Sequence, residues 1–272
     1  MGATADIIAE AVQQVTAPHQ MESALLGPSK ISTYLRCPRS YRYQYEERIK
    51  LPSSPAAALG TAVHTVARHI ELARWTPDNM QTVADLMLQT WERVKECTAD
   101  PSDPDANQGA ELAAMEWLPW YLNWKQGQIT VASEERWELT VPHTTLTLTG
   151  TIDRVYRASG STVLSDIKTG KRKPGSGDLA TDLQLTLYTW ACHELGITPD
   201  LIELVMMRHK GTVQTTRTTA YLEAVMLDTV LPAAQGIAAR IFPANPSSKY
   251  GCGFCDYQSL CAVGRGSMTE EK

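Results

Sequence analysis

The chain has 272 residues, 43% of them hydrophobic and 20% charged, with a formal net charge of −5. This balance excludes a disordered or low-complexity chain and allows one large or two small packed domains. No apolar run reaches the roughly 18 residues of a membrane span, so no membrane partner is expected.

The opening MGATADIIAEAVQQV has no basic stretch before an apolar one, and position 6 is Asp6 where a myristoylation signal needs Ser or Thr. A cytoplasmic location is therefore expected. The acidic balance argues against indiscriminate binding of polyanions but leaves room for a local basic groove. Residues 1–27 read as a flexible leader and 267–272 as a flexible tail. Ser32 reads as the N-cap of a helix reaching about Arg48, and LPSSPAAALG as a link. Val63, Val66, Ala67, Ile70 and Leu72 give helical spacing over 61–74. Further helices are predicted over 77–97 and 110–126, separated by a loop at 98–109. The tryptophan-rich stripe Trp117, Trp120, Tyr121, Trp124 reads as core.

From Glu134 the pattern changes to near-alternation rich in Thr, Val and Leu, which predicts three antiparallel strands over 134–141, 144–157 and 161–168. A helix over 178–195, two strands turning at Lys210-Gly211, a helix over 220–241 and an irregular cysteine-bearing tail follow. Helices flanking a central mixed sheet make the fold class α/β or α+β.

The middle strands carry the chemistry. In SDIKTG, Asp166 and Lys168 lie two apart and project from one strand face, and Asp153 of GTIDR can approach Asp166 across the hairpin. Carboxylates held close repel unless a cation lies between them, and oxygen donors suit Mg2+ or Mn2+. Upstream, His64 stands four residues after Gly60. Downstream, Gln184 and Tyr188 share a helix face. Two basic runs, Arg36/Arg39/Arg42/Arg48 and Lys168/Lys171/Arg172/Lys173, could line a nucleic-acid path or be solvated faces. The first is interleaved with Tyr34, Tyr41 and Tyr43, which suit either base stacking or core packing.

Cys252, Cys255 and Cys261 form a C-x2-C-x5-C knuckle, one ligand short of a tetrahedral site. Spacing alone admits Zn2+ or an iron–sulfur cluster. The fourth ligand must come from Cys37, Cys97 or Cys192, of which Cys192 reads as core and Cys97 as incidental.

The order G-x3-H, GxxDR, DxKTG, QLxxY resembles the RecB-type, CRISPR-associated-exonuclease-like branch of the PD-(D/E)xK nuclease superfamily, from about Ile31 to Arg265. The resemblance implies a restriction-endonuclease-like α/β core spanning 28–266 as a single nuclease domain. It would carry a helical insertion at about 75–130 and a cysteine-bound cluster cap. His64, Asp153, Asp166 and the Ile167 carbonyl would hold Mg2+ or Mn2+, Lys168 would be the catalytic lysine, and Gln184 and Tyr188 would position DNA. A further acidic ligand could be Glu134, Glu135 or Glu138. In the iron–sulfur members an upstream cysteine joins three near the C-terminus, which implies Cys37 with Cys252, Cys255 and Cys261 around a [4Fe–4S] cluster, with Zn2+ as the alternative. DNA contacts are expected from Arg36, Arg39, Tyr41, Arg154, Lys171, Arg172 and Lys173.

The implied activity is metal-dependent hydrolysis of DNA, as an exonuclease on single strands or ends. A helicase or recombination protein is a possible partner, although no GxxxxGK[ST] phosphate loop is present. A non-catalytic DNA-binding or scaffold subunit, or a zinc-stabilised interaction domain, are the alternatives.

Overall fold

A computed structural model describes residues 25–142, 144–247 and 252–266. Of the expected leader only residues 25–27 are among them, and the expected tail 267–272 lies outside them. Helix α1 (Pro28–Arg36) starts on its proline, so Ser32 lies inside it rather than capping it. Pro38 breaks the single helix expected to reach Arg48. It pushes Cys37 to an extended conformation (φ −160°, ψ 107°) and restarts the chain as α2 (Pro38–Tyr41).

Helix α3 (Pro55–Leu72) begins at Pro55 rather than at Thr61, because Ser54 caps it by accepting from Ala57 N at 3.2 Å. Helix α4 (Met80–Lys95) follows. The stretch read as a loop contains the start of α5 (Pro104–Leu112), capped by Asp103. A π-turn at Ala113–Trp117 then leads into α6 (Leu118–Trp124).

Strands β1 (Ile129–Thr140), β2 (Thr147–Ala158), β3 (Ser161–Lys168), β4 (Leu201–Met206) and β5 (Gly211–Thr215) form one mixed sheet in that order. β2 and β3 are an antiparallel hairpin. Its turn uses Ser159 and Gly160, both at positive φ, a hand that matches strand twist. β3 and β4 are parallel, and their crossover holds α7 (Ser176–Ala180) and α8 (Leu183–Glu194). These replace the one helix expected over 178–195, because Asp182 caps a fresh start at Leu185 N. β5 returns antiparallel to β4.

The helix expected over 220–241 is α9 (Thr219–Val225), a π-turn at Met226–Val230, and α10 (Leu231–Ala238). Both this π-turn and the one at Ala113–Trp117 directly precede a Leu-Pro pair, Leu231-Pro232 and Leu118-Pro119. A proline without an N–H interrupts the helical ladder and widens the turn before it. The tail ends in α11 (Ala262–Gly266).

The chain divides into two compact units. One comprises Pro52–Arg136 and Thr151–Arg217. In it Val63, Val66, Ile70, Met87, Trp117 and Leu122 pack with Ile167 and Val205 into one buried cluster. Trp120 and Trp124 lie against that cluster, as the aromatic stripe predicts. The other unit comprises the chain up to Leu51, Trp137–Gly150, and the chain from Thr218 on. There Leu26 bridges to Leu148, and Tyr41 stacks on Phe242 with ring centres 5.8 Å apart. No helix among the described residues is long and apolar enough to cross a membrane.

Gly236 on α10 makes room for the Tyr34 ring: a Cβ there would stand 2.1 Å from the Tyr34 hydroxyl, which donates to Ile241 O at 2.8 Å. Gly236→Ala is expected to cost about 1–3 kcal/mol by overpacking, read by chemical denaturation. Adding Tyr34→Phe should recover part of that loss, whereas additive losses would contradict the contact.

Candidate functional site

The site is built at the C-terminal end of β3, where the β2–β3 ladder stops. The last pair of the ladder is Arg154 with Ser165, so the next positions in register, Asp153 and Asp166, stand opposite each other just beyond it. Freed from pairing, Ile167 N donates to Asp153 Oδ2 at 2.8 Å. In an extended strand a residue's N–H and C=O point to the same edge, so the Ile167 carbonyl also faces this gap.

Strand alternation puts Asp166 and Lys168 on one face, and Lys168 Nζ lies 2.7 Å from Asp166 Oδ2. The lysine also donates to Gln184 Oε1 at 3.0 Å, and Gln184 Nε2 donates to the Tyr188 hydroxyl at 3.0 Å. The two α8 residues therefore hold the lysine from one helix face, a connection that motif order alone does not disclose.

His64 on α3 closes the opposite side, with Nδ1 3.4 Å from Asp153 Oδ2 and 3.9 Å from Glu134 Oε1. His64, Glu134 and Asp153 each offer a ligand atom within 4.8 Å of the others. Of the three glutamates weighed as an extra acidic ligand, the geometry selects Glu134. It sits at φ 49° inside β1, and around it the strand's burial pattern slips by one residue, from inward at Thr130 and Ala132 to inward at Trp137. A bulge of this kind re-aims one side chain, and here it turns a carboxylate toward His64.

Electrostatics mark the same residues. Burial, then the Asp166 charge, push Asp153 up to about 7 against the opposing pull of His64 and the Ile167 N–H. Asp166 is only 1% exposed, and burial raises it despite Lys168. Burial lowers the His64 and Lys168 pKa, but the surrounding carboxylates outweigh it and both end above their ordinary values. Neither Asp166 oxygen has a well-aligned hydrogen-bond donor among the described residues, the Lys168 ion pair aside. Oxygen donors from Asp153, Asp166, Glu134 and the Ile167 carbonyl, joined by one imidazole, are a donor set that fits Mg2+ or Mn2+.

In the other unit, Cys37, Cys252, Cys255 and Cys261 all line one cavity. None forms a disulfide. Asn245 N donates to Cys37 Sγ at 3.4 Å, and Asn245 Nδ2 donates to Arg36 O at 3.1 Å, which tie the tail to the Cys37 kink. Burial and then the charges of Cys261, Cys255 and Cys37 raise the Cys252 thiol, so the four would repel as thiolates without a cation. The donor set fits a thiolate-bound metal group. Cys192 is buried, with its thiol pushed up to about 12, and Cys97 is exposed; neither lines the cavity.

Two expected DNA contacts are corrected. Arg154 is 1% exposed: it pairs with Glu71 at 3.1 Å, donates to Gln128 and Thr130, and stacks on Tyr156 at 4.5 Å. Neighbouring strand residues face opposite ways, so Asp153 enters the site and Arg154 enters this network. Glu71, which also accepts from Tyr121, extends the apolar face of α3, and a carboxylate at that spacing signals a buried partner. Tyr41 is likewise buried, packed on Tyr34, Tyr45 and Phe242 rather than offered to a base. Arg36 is exposed, while Arg39 donates to Phe242 O at 2.9 Å. Lys171 and Arg172 are exposed but paired with Asp105 and Asp178, and Lys173 is exposed.

A family model described as the PD-(D/E)XK nuclease superfamily matches residues 26–262. Among solved structures, 21 chains match. One is the crystal structure of SSO0001, at 14% identity and a TM-score of 0.41, covering 96% of this chain and 95% of that one. No curated protein matches.

The raised Asp153 carries a sign. Its folded pKa of about 7 lies above its ordinary value of 3.8, so its stabilising contribution is present below pH 4 and is lost as pH rises through 7. Asp153→Asn should therefore melt higher than the unaltered protein at pH 8 in EDTA, by ~2–4 °C per kcal/mol gained, with the gap narrowing toward pH 5. Scanning calorimetry at both pH values checks this, and a variant less stable at pH 8 would contradict it.

Proposed function

Since the chain belongs to the PD-(D/E)XK nuclease superfamily, we propose that it is a metal-dependent deoxyribonuclease that hydrolyses single-stranded DNA or DNA ends as an exonuclease. The observation that carries this reading is the convergence of Asp153, Asp166, Lys168, His64 and Glu134 at one strand end. A divalent cation held there by the carboxylates, His64 and the Ile167 carbonyl would supply a polarised water and charge neutralisation on the phosphate.

The chain's own groups do the rest. Lys168, fixed by Asp166 and Gln184, stays protonated at neutral pH and presents positive charge where the phosphate gains negative charge. Gln184 and Tyr188 lock the lysine's direction. The half-exposed lysine and partly exposed His64 leave the site open to a strand from solvent.

We assign the cysteine site, as a structural [4Fe–4S] cluster, to the RecB-like branch of the family. Four free cysteines around one cavity support a single thiolate-bound group shared by all of them. Closing so long a loop between Cys37 and Cys252 gives a cross-link its greatest leverage on the unfolded chain.

Asp166→Ala and Lys168→Ala are each expected to lower cleavage of end-labelled DNA in Mn2+ by ~100-fold or more while retaining DNA binding in a mobility-shift assay. Full activity in either purified variant would sink the assignment. Anaerobically purified protein should be brown, with broad absorbance at about 400 nm that Cys37→Ser loses. Stoichiometric zinc without iron would overturn the cluster.

A further inference from the structure

A groove of about 470 Å3 runs along α3 from the carboxylate site. Its polar lining is Thr61, His64, Thr65, Arg68, His69 and Glu134. The helical residues recur at i, i+3/i+4 and i+7, so one face of α3 leads from the metal-ligand candidate His64 to Arg68. Gly60 forms the floor, where a Cβ would press to 3.3 Å from Thr169 Oγ1.

Which of these groups can hold a phosphate is settled by where their protons go. Thr61 Oγ1 donates to Ala57 O at 3.1 Å, and Thr65 Oγ1 donates to Thr61 O at 2.8 Å. Both hydroxyls therefore face the groove with lone pairs only. His69 Nδ1 lies 2.8 Å from Thr65 O, a carbonyl that can only accept, so the Nδ1 proton is turned to the backbone. Beyond the two histidines, the permanent cation facing the groove is the exposed Arg68 guanidinium. Unlike Lys171, Arg172 and Lys210, which pair with carboxylates, Arg68 makes no ion pair among the described residues.

We propose that Arg68 binds the phosphodiester next along the strand from the one at the carboxylate site, so that a single DNA strand lies in the α3 groove. The assignment rests on the nuclease reading above. Four helical residues rise about 6 Å, close to the separation of successive phosphates along an extended single strand, so Arg68 reaches the neighbouring phosphate. A guanidinium matches the two free oxygens of that phosphate with paired N–H donors. Arg68 is a positioning residue: it holds the strand in register and does not touch the reacting atoms.

The test measures binding of fluorescein-labelled oligothymidylate in Ca2+ across a salt series, and its cleavage in Mn2+. It compares the unaltered protein with Arg68→Ala, Arg68→Lys and, as a charge-matched control outside the groove, Arg93→Ala. For Arg68→Ala, KM should rise roughly five- to tenfold with a much smaller fall in kcat, and the slope of log affinity against log salt should shrink by about 0.7. Arg68→Lys should restore most of the slope, and Arg93→Ala should keep it. An unchanged slope and KM in Arg68→Ala, or an equal loss in Arg93→Ala, overturns the Arg68 assignment and leaves the nuclease reading standing. If the unaltered protein binds without cleaving, the slope still decides the assignment. If it neither binds nor cleaves, both readings fall.

Discussion

Two carboxylates are buried opposite each other where a β-ladder ends, and the arrangement of this unit follows from keeping them there. Asp153 and Asp166 would separate if left to water, because burial and mutual repulsion both disfavour their charged forms. The fold opposes this with one backbone N–H from Ile167, one imidazole from His64 and one ammonium from Lys168. Two of these groups come from the end of β3 itself and the imidazole from α3, so the repulsion is held as a standing demand for a cation.

The elements meet there for topological reasons. A parallel β3–β4 pair requires a crossover, and that crossover delivers α8 with Gln184 and Tyr188 beside the end of β3. In open α/β sheets the carboxyl ends of strands are where ligands collect, and Asp166 and Lys168 lie at such an end. Glu134 reaches the same place only because its backbone takes a positive φ within a strand, a strained conformation of the kind that persists at functional sites. The cysteine site follows a different logic. Pro38 bends the chain at Cys37, which lines the cysteine cavity, and the tail returns to its sulfur through Asn245.

Much of the site was legible in the sequence because it depends on local periodicity. Spacing of two on a strand aligned Asp166 with Lys168, and spacing of four on a helix aligned Gln184 with Tyr188. The order of the strands and the parallel crossover were not readable from periodicity, which carries no register between distant segments. The same alternation that placed Asp153 should have removed Arg154 from the DNA contacts, since adjacent strand residues face opposite ways. Helix ends were misjudged where prolines acted as starters: Pro55 and Pro104 open helices in stretches that look like links. Glu134 could not be chosen among three glutamates, because a bulge shifts the strand's phase without changing its composition.

The central claim is that the buried carboxylate set is a divalent-cation site. The most direct measurement is titration of Mn2+ into protein freed of metal with EDTA and then dialysed, following the paramagnetic resonance signal of free Mn2+. The account predicts that the protein removes the signal saturably and that excess Mg2+ restores it. A free-Mn2+ signal that is the same with and without the protein would contradict it.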